Sequence, residues 1–377
     1  MSTHPEPRGQ VPQSELEAKA ERTAKQSRGF WVSSWINFRR RKLAMAALVY
    51  VVLMALVAIF SPAIVGTKPV VCRYKGSLYF PAMGYFKTSW ENAIFRTGDR
   101  FANRYEENLK QNDPESWAIW PLVRQDPLER VRDDWFADQS GNPTQEGRPS
   151  LQNLLGTDSS GIDVFAQLVH GTRIALLVGF VSMGLASLIG ITVGACSGYF
   201  GGWIDSIFSR VIEVVLCIPT LILIIALLAI VTQPTIWHVV LVIGLTGWTG
   251  IARLTRAEFM KLKQIEYVAA ARSMGAGPIR IMFVHILRNS LAPILVPITF
   301  GIATAILTES ALSFLGIGAP PPTPTWGRVL SEGNNNIQSM WWLVAFPGLA
   351  IFATVLAYNL IGEGIQESTD PRTRDGR

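Results

Sequence analysis

The chain has 377 residues, with 34 Lys+Arg against 28 Asp+Glu for a formal net charge of +6, and a mean hydropathy of +0.26. Only 16% of residues are charged, against roughly 25% in a soluble domain, while 49% are hydrophobic, so the apolar side chains must stand in blocks. That argues against an ordinary soluble enzyme, and Cys72, Cys196 and Cys217 make neither a disulfide framework nor a Cys-x-x-Cys zinc cage.

Residues 1–42 precede the first apolar run as a polar tail, of which 1–29 hold too few large apolar side chains to bury a core, although Ser14–Lys25 has the pattern of a charged helix. A bilayer core of about 30 Å takes roughly 20 apolar residues in helical form. Leu43–Val65 is such a run and carries no charge. It is too long, and too far from the N-terminus, for a secretory signal, so it reads as a retained membrane helix. The basic flank Arg39, Arg40, Arg41 and Lys42 puts the N-terminus in the cytoplasm. Further runs at Ile174–Ala195, Val214–Ile236, Ile236–Ala252, Leu291–Thr308 and Met340–Gly362 bring the expectation to six spans.

Residues 66–150, between the first two spans, hold twelve basic and twelve acidic residues with Trp90, Trp117, Trp120 and Trp135. This is the composition of a globular insertion, expected outside the cytoplasm and packed on the membrane domain or on a partner. No catalytic motif supports a free-standing enzyme there. Next, Gly156-Thr157-Asp158 and Gly161 make a turn, and Asp163 can cap a helix whose apolar face, Val164, Phe165, Leu168 and Val169, suits the outer bilayer surface. A calcium site on Asp158, Ser160 and Asp163 misses the EF-hand spacing, so turn and capping chemistry is the better account.

Charge supports the orientation. Residues 1–42 and 253–290 each carry a net +5. A six-span chain with its N-terminus inside puts both segments, and the 370–377 tail, in the cytoplasm. No basic run is interleaved with aromatics, so nucleic acid is not an expected partner.

The second basic segment is the most informative. Lys261–Gly275 reads as an amphipathic helix with a patch of small residues, Ala269, Ala270 and Ala271, flanked by Tyr267, Arg272 and Met274. Gly275 suits the left-handed position that ends a helix, and Pro278 the first turn of a second helix over Ile279–Leu287. By these residues alone it is either a helix held to anionic lipid or a knob that docks a protein.

The Ala-Ala-x-x-x-Gly of Ala270, Ala271 and Gly275, followed by His285-Ile286-Leu287, resembles the coupling loop of ABC importer permeases. Ala269 stands where that family has Glu, and Arg288 where it has Pro. The stretches Gly156-Thr157-Asp158, Asp163-Val164 and Gly171-Thr172-Arg173 resemble the second-span entry of dipeptide/oligopeptide permeases, with Ile162 in place of an Arg. Gly198-Tyr199-Phe200-Gly201-Gly202-Trp203, Thr246-Gly247-Trp248, Ser310–Gly316, Pro320–Gly327 and Asp370-Pro371-Arg372 extend the likeness, which spans about 30–66 and 150–375. Residues 66–150 lie outside the common pattern and resemble enlarged variants of the C-type subunit.

The resemblance implies an all-α membrane protein, a six-helix type I ABC importer permease bundle with a mixed insertion between helices 1 and 2. It implies a transport subunit for peptides in the bacterial inner membrane. Its expected partners are a homologous B-type permease, two ATPase subunits that bind the ATP, and an extracytoplasmic solute-binding protein. Nickel, glutathione or another small solute is the alternative cargo. On this reading the segments are a 1–42 tail, helix 43–65, insertion 66–150, permease domain 151–369 with its coupling loop at about 261–288, and tail 370–377. Tyr267, Ala269, Ala270, Ala271, Arg272, Met274, Gly275 and His285 would face the ATPase.

Other chemistry is missing from the sequence. There is no Gly-Lys dipeptide and hence no phosphate loop of the G-x-x-x-x-G-K-[ST] kind. His4, His170, His238 and His285 are scattered, without a metalloprotease motif, and no serine nucleophile elbow occurs. No catalytic residue, metal site or cofactor is expected in this chain. Within the spans Glu309 is the main ionisable group, either a contact on the substrate path or a structural hydrogen-bond partner. A proton-coupled carrier would need more such groups and repeat symmetry. Gly190, Gly194 and Gly198 recur every four residues and would allow a second helix to approach closely.

Overall fold

A computed structural model describes residues 30–87, 90, 106–130, 147–151 and 153–369. The expectations for 1–29, Trp135 and 370–377 fall outside these residues. A short helix α1 (Phe30–Arg39) turns at Arg40 and Arg41 into α2 (Lys42–Ile64), the first long apolar helix. Four more helices have the length and composition to cross a bilayer: α4 (Val164–Phe200), α7 (Ile236–Leu262), α9 (Pro278–Phe314) and α11 (Trp342–Thr369).

The remaining crossing differs from its sequence reading. Instead of one helix over Val214–Ile236, α5 (Gly202–Cys217) and α6 (Thr220–Ala229) meet at an 86° bend. Pro219 stands at the break, where it lacks the N–H that would continue the first helix. The neighbours decide that this bent pair crosses. α7 runs antiparallel to α4: Ser182 donates to Val240 O (2.9 Å), and Lys263 Nζ donates to Gly198 O (2.8 Å). Gly198 and Lys263 therefore share one end of the bundle, and residues 202–235 must travel to the other end before α7 can return. The last helix agrees, because Arg41 pairs with Glu367 and so sets the start of α2 beside the end of α11. Six crossings result.

The most extensive helix–helix packing is between α4 and α7. A Cβ on Gly190 would lie 2.8 Å from Trp248 O, one on Gly198 2.6 Å from Arg256 O, and one on Gly194 tighter still against Ala252 O. Backbone meets backbone along this seam because three glycines at four-residue spacing carry no side chain there. Around it Val178, Met183, Ala186, Val239, Ile243, Ile251, Ile302 and Ile306 form the main core.

α4 is longer than the apolar run suggests, about 55 Å at 1.5 Å per residue. The amphipathic turns at Val164–Val169, expected on the bilayer surface, are its first turns. Asp163 caps it, accepting from Ala166 N (2.8 Å). Likewise, the helix expected at Ile279–Leu287 continues without interruption into α9, through a π-helical stretch at Ile281–Ile286.

The insertion contains a three-stranded antiparallel sheet, order β2-β1-β3, built from β1 (Val71–Tyr74), β2 (Ser77–Tyr79) and β3 (Trp117–Ile119), with α3 (Glu106–Asn112) against it. Cys72 and Leu109 are the centre of its small core. It docks on the bundle. Arg173 of α4 donates to Tyr85 O (3.0 Å) and Phe86 O (2.9 Å) and lies 4.4 Å over the Phe86 ring. His170 donates through Nε2 to Val65 O (2.9 Å), while Thr67 and Tyr85 both donate to Asp126. The last elements are α10 (Trp326–Asn335) and the loop at 147–163, joined to α4 and α11 by Trp326 Nε1–H to Leu168 O (3.0 Å) and Trp342 Nε1–H to Thr157 O (2.9 Å).

Gly194→Val should force α4 and α7 apart and cost about 1–3 kcal/mol or more. Thermal unfolding of the purified protein should show a clearly lower midpoint, whereas Gly184→Val, at a site with open space around its Cβ, should not.

Candidate functional site

At the Gly198/Lys263 end the chain leaves α7 and builds a short helix, α8 (Glu266–Ser273). Glu266 in its first turn and Arg272 in its last complement the helix dipole. Its end is a closed Schellman motif: Ala276 N donates to Ala271 O (3.1 Å) and Gly275 N to Arg272 O (3.0 Å). Gly275 has φ +83°, which a side chain would resist, so the expected glycine signal holds. Gly277 and Pro278 then start α9.

α8 rests on a second core, separate from the main one. Val268 points inward onto Phe259 of α7, Ala195 of α4 and Ile281, Met282 and Ile286 of α9, and Ala271, one turn on, is buried as well. One face of α8 is thus welded to the ends of three membrane helices. The other face is open. Ala269, Ala270, Arg272, Met274 and Gly275 are exposed, Met274 to 81%.

The eight residues singled out by sequence thus divide. Tyr267 is half-buried in the second core with its hydroxyl sealed from solvent, Ala271 is buried, and His285 is half-buried on α9. Ile279, Phe283 and Val284, which the sequence reading did not single out, leave further apolar surface just past the corner. Their i, i+4, i+5 spacing, out of phase with the inward Ile281, Met282 and Ile286, was the available signal. Lys261, Arg272, Arg280 and Arg288 are also exposed, giving this end a basic rim.

A polar clamp stands at the same end of α4 and α7. Asp205, on α5 just past the Gly201-Gly202 corner, takes both arms of the Arg256 guanidinium, Nη2 at 2.7 Å and Nε on the other oxygen. Ser197 of α4 donates to the same carboxylate. Bidentate Arg–carboxylate pairs fix geometry as well as charge, so α4, α5 and α7 are pinned at one point.

Glu309 lies deep in α9, 1% exposed, and accepts from Ser313 Oγ (2.6 Å) one turn on. An apolar cleft of about 550 Å³ opens between α9, α10 and α11, lined by Leu307, Ser310, Phe314, Leu330 and Phe352 among others, and Glu309 is not on its wall.

At the opposite end, Asp158 accepts from Ser160 N and Ile162 N (both 2.9 Å) and from Gln167 Nε2 (2.6 Å), so it shapes the turn as a capping residue does. Among the described residues no group of three or more His, Cys, Asp or Glu is placed to hold a metal. Ser159 ties this turn to Glu332 of α10. Burial, and then the nearby Glu332 charge, push the Asp158 carboxyl up to about 6. Burial pushes Asp163 up to about 7.

A raised carboxyl pKa means that the folded state prefers the proton, so these two groups penalise the fold increasingly as pH rises through about 4 to 7. Hydrogen exchange of the 157–166 amides should therefore be slower at pH 5.5 than at pH 8, after correction for the intrinsic rate. Asp163→Asn, which keeps a cap and removes the charge, should flatten that dependence, while Asp163→Ala should lose about 1 kcal/mol of cap.

Two family models match the chain. Residues 186–375 match the binding-protein-dependent transport system inner membrane component, and residues 29–74 match the N-terminal TM domain of oligopeptide transport permease C. The dipeptide transport system permease protein DppC of Alkalihalophilus pseudofirmus is 41% identical over 226 residues, 60% of this chain and 74% of that one. The inner membrane ABC transporter permease protein YejE of Escherichia coli is 34% identical over 340 residues, 89% of this chain and 96% of the relative. The oligopeptide transport system permease protein OppC of Bacillus subtilis is 30% identical over 355 residues, 94% of each.

Proposed function

Because the chain belongs to the family of inner membrane components of binding-protein-dependent transport systems, we propose that it forms half of the pathway of a peptide importer and is driven through the exposed face of α8. A homologous second permease supplies the other half. Two ATPase subunits bind and hydrolyse ATP, and a solute-binding protein delivers cargo at the end that carries the insertion. The names of the dipeptide and oligopeptide relatives support peptide as the cargo.

The observation that carries the coupling role is the two-sidedness of α8. Its inner face is packed into α4, α7 and α9, and its outer face presents Ala269, Ala270 and Met274 to solvent. Small residues let another surface reach the helix backbone, and Met adapts to the shape it meets. The basic excess of 1–42 and 253–290 supports a cytoplasmic location for this end and for both termini. ATP-driven closure of the ATPases would move α8, and the second core and the Asp205–Arg256 clamp would carry that movement into the bundle. Alternating access then needs two packings of the bundle whose balance is set by nucleotide.

Ala270→Arg should reduce uptake and transport-coupled ATP hydrolysis at least about 100-fold, the scale of losing close docking. Membrane insertion and thermal stability should stay normal, because the side chain points to solvent. Wild-type uptake in that variant would refute the docking role. Ala271→Arg should fail differently, by unfolding the second core. For the cargo, the binding protein should co-purify with peptide, identified by mass spectrometry. Nickel or glutathione in its place would contradict the peptide reading while leaving the coupling role intact.

A further inference from the structure

The bend between α1 and α2 is held firmly from one side. Phe38 packs with Ala44, Ala357 and Ile361, and its Cε2 sits 2.8 Å from where a Cβ on Gly364 would be. Arg41 is neutralised by Glu367. The other side is open and chemically mixed. Trp35, stacked on Phe38 with ring centroids 5.8 Å apart, is 51% exposed. Arg39 and Arg40 are exposed and have no carboxylate partner among the described residues. On the end of α11 that packs here, Glu367 is already paired and Glu363 stands one turn before it.

Below the two arginines α2 shows a continuous outward stripe of Leu43, Ala46, Val49, Leu53 and Leu56, with Leu43 exposed to 71%. From Leu43 to Leu53 the stripe drops about 15 Å, the depth of one leaflet. Paired guanidinium groups suit a phosphate, and indole rings suit the level of the headgroups. Two cations with an exposed indole on the preceding helix turn thus head an apolar stripe, as a phosphate heads an acyl chain.

We propose that this elbow binds one anionic phospholipid, with its phosphate between Arg39 and Arg40 and an acyl chain along Leu43 to Leu53. The site is independent of the face of α8 and of the cargo. A membrane-embedded chain is all that it requires.

The assembled transporter, in phosphatidylcholine nanodiscs with increasing phosphatidylglycerol, can be released into a mass spectrometer and the phosphatidylglycerol retained per copy counted. Arg39→Gln with Arg40→Gln should weaken retention about 30-fold, the scale for two juxtamembrane cations. Arg210→Gln with Lys261→Gln, which neutralises two exposed cations elsewhere, should retain lipid as the parent does. Unchanged retention in the elbow variant, or equal loss in both, would overturn the proposal. So would full displacement of the lipid by inorganic phosphate, which would assign the site to a free anion.

Discussion

The seam between α4 and α7 is the constraint from which the rest of the bundle follows. At Gly190, Gly194 and Gly198 the two backbones come so close that no Cβ fits between them. In a bilayer the hydrophobic effect does not drive helices together, so close packing and hydrogen bonds must do that work. The seam runs toward one end of the molecule and finishes in polar contacts. There Lys263 binds Gly198 O, and Arg256 grips Asp205. α8 begins three residues beyond Lys263, so whatever moves it acts beside this polar end of the seam. A lever is useful only if its fulcrum does not yield.

The opposite end is built on other terms. Tryptophan N–H groups from α10 and α11 close on the carbonyls of Leu168 and Thr157, and Arg173 reaches into the insertion. Each of these contacts is a side chain bonding a backbone carbonyl, and backbones meet here too: a Cβ on Gly333 would lie 2.6 Å from the Leu343 carbonyl carbon. The loop at 157–163 also carries two buried carboxyls whose pKa values burial raises, which favours its protonated form.

The membrane spans were legible in the sequence because about 20 uncharged residues in a row have few alternatives to a bilayer. Their true lengths were less so. Gln167, His170 and Arg173 look like the end of a span, yet they lie within α4 because the insertion and the neighbouring loops satisfy them. The run Val214–Ile236 hid a bend, since hydropathy is blind to direction and only Pro219 hinted at it. The insertion's strands are three or four residues long, too short for alternation to register, and their partners are distant in sequence. In α8 a patch of three alanines was legible, but not which of them faces out. Ala271 and Tyr267 turn inward because Val268 must bury itself against Phe259, and that partner lies on another helix.

The central claim is that α8 and the α4–α7 seam move as one body when the ATPases close. Spin labels at Ser273→Cys on α8 and Leu188→Cys on α4, both exposed positions, report it once the three native cysteines are replaced. Pulsed electron resonance on the assembled transporter, with and without trapped nucleotide, should find that distance unchanged to within about 2 Å. A change of a full helical turn, about 5 Å, would mean that α8 swings free of the seam.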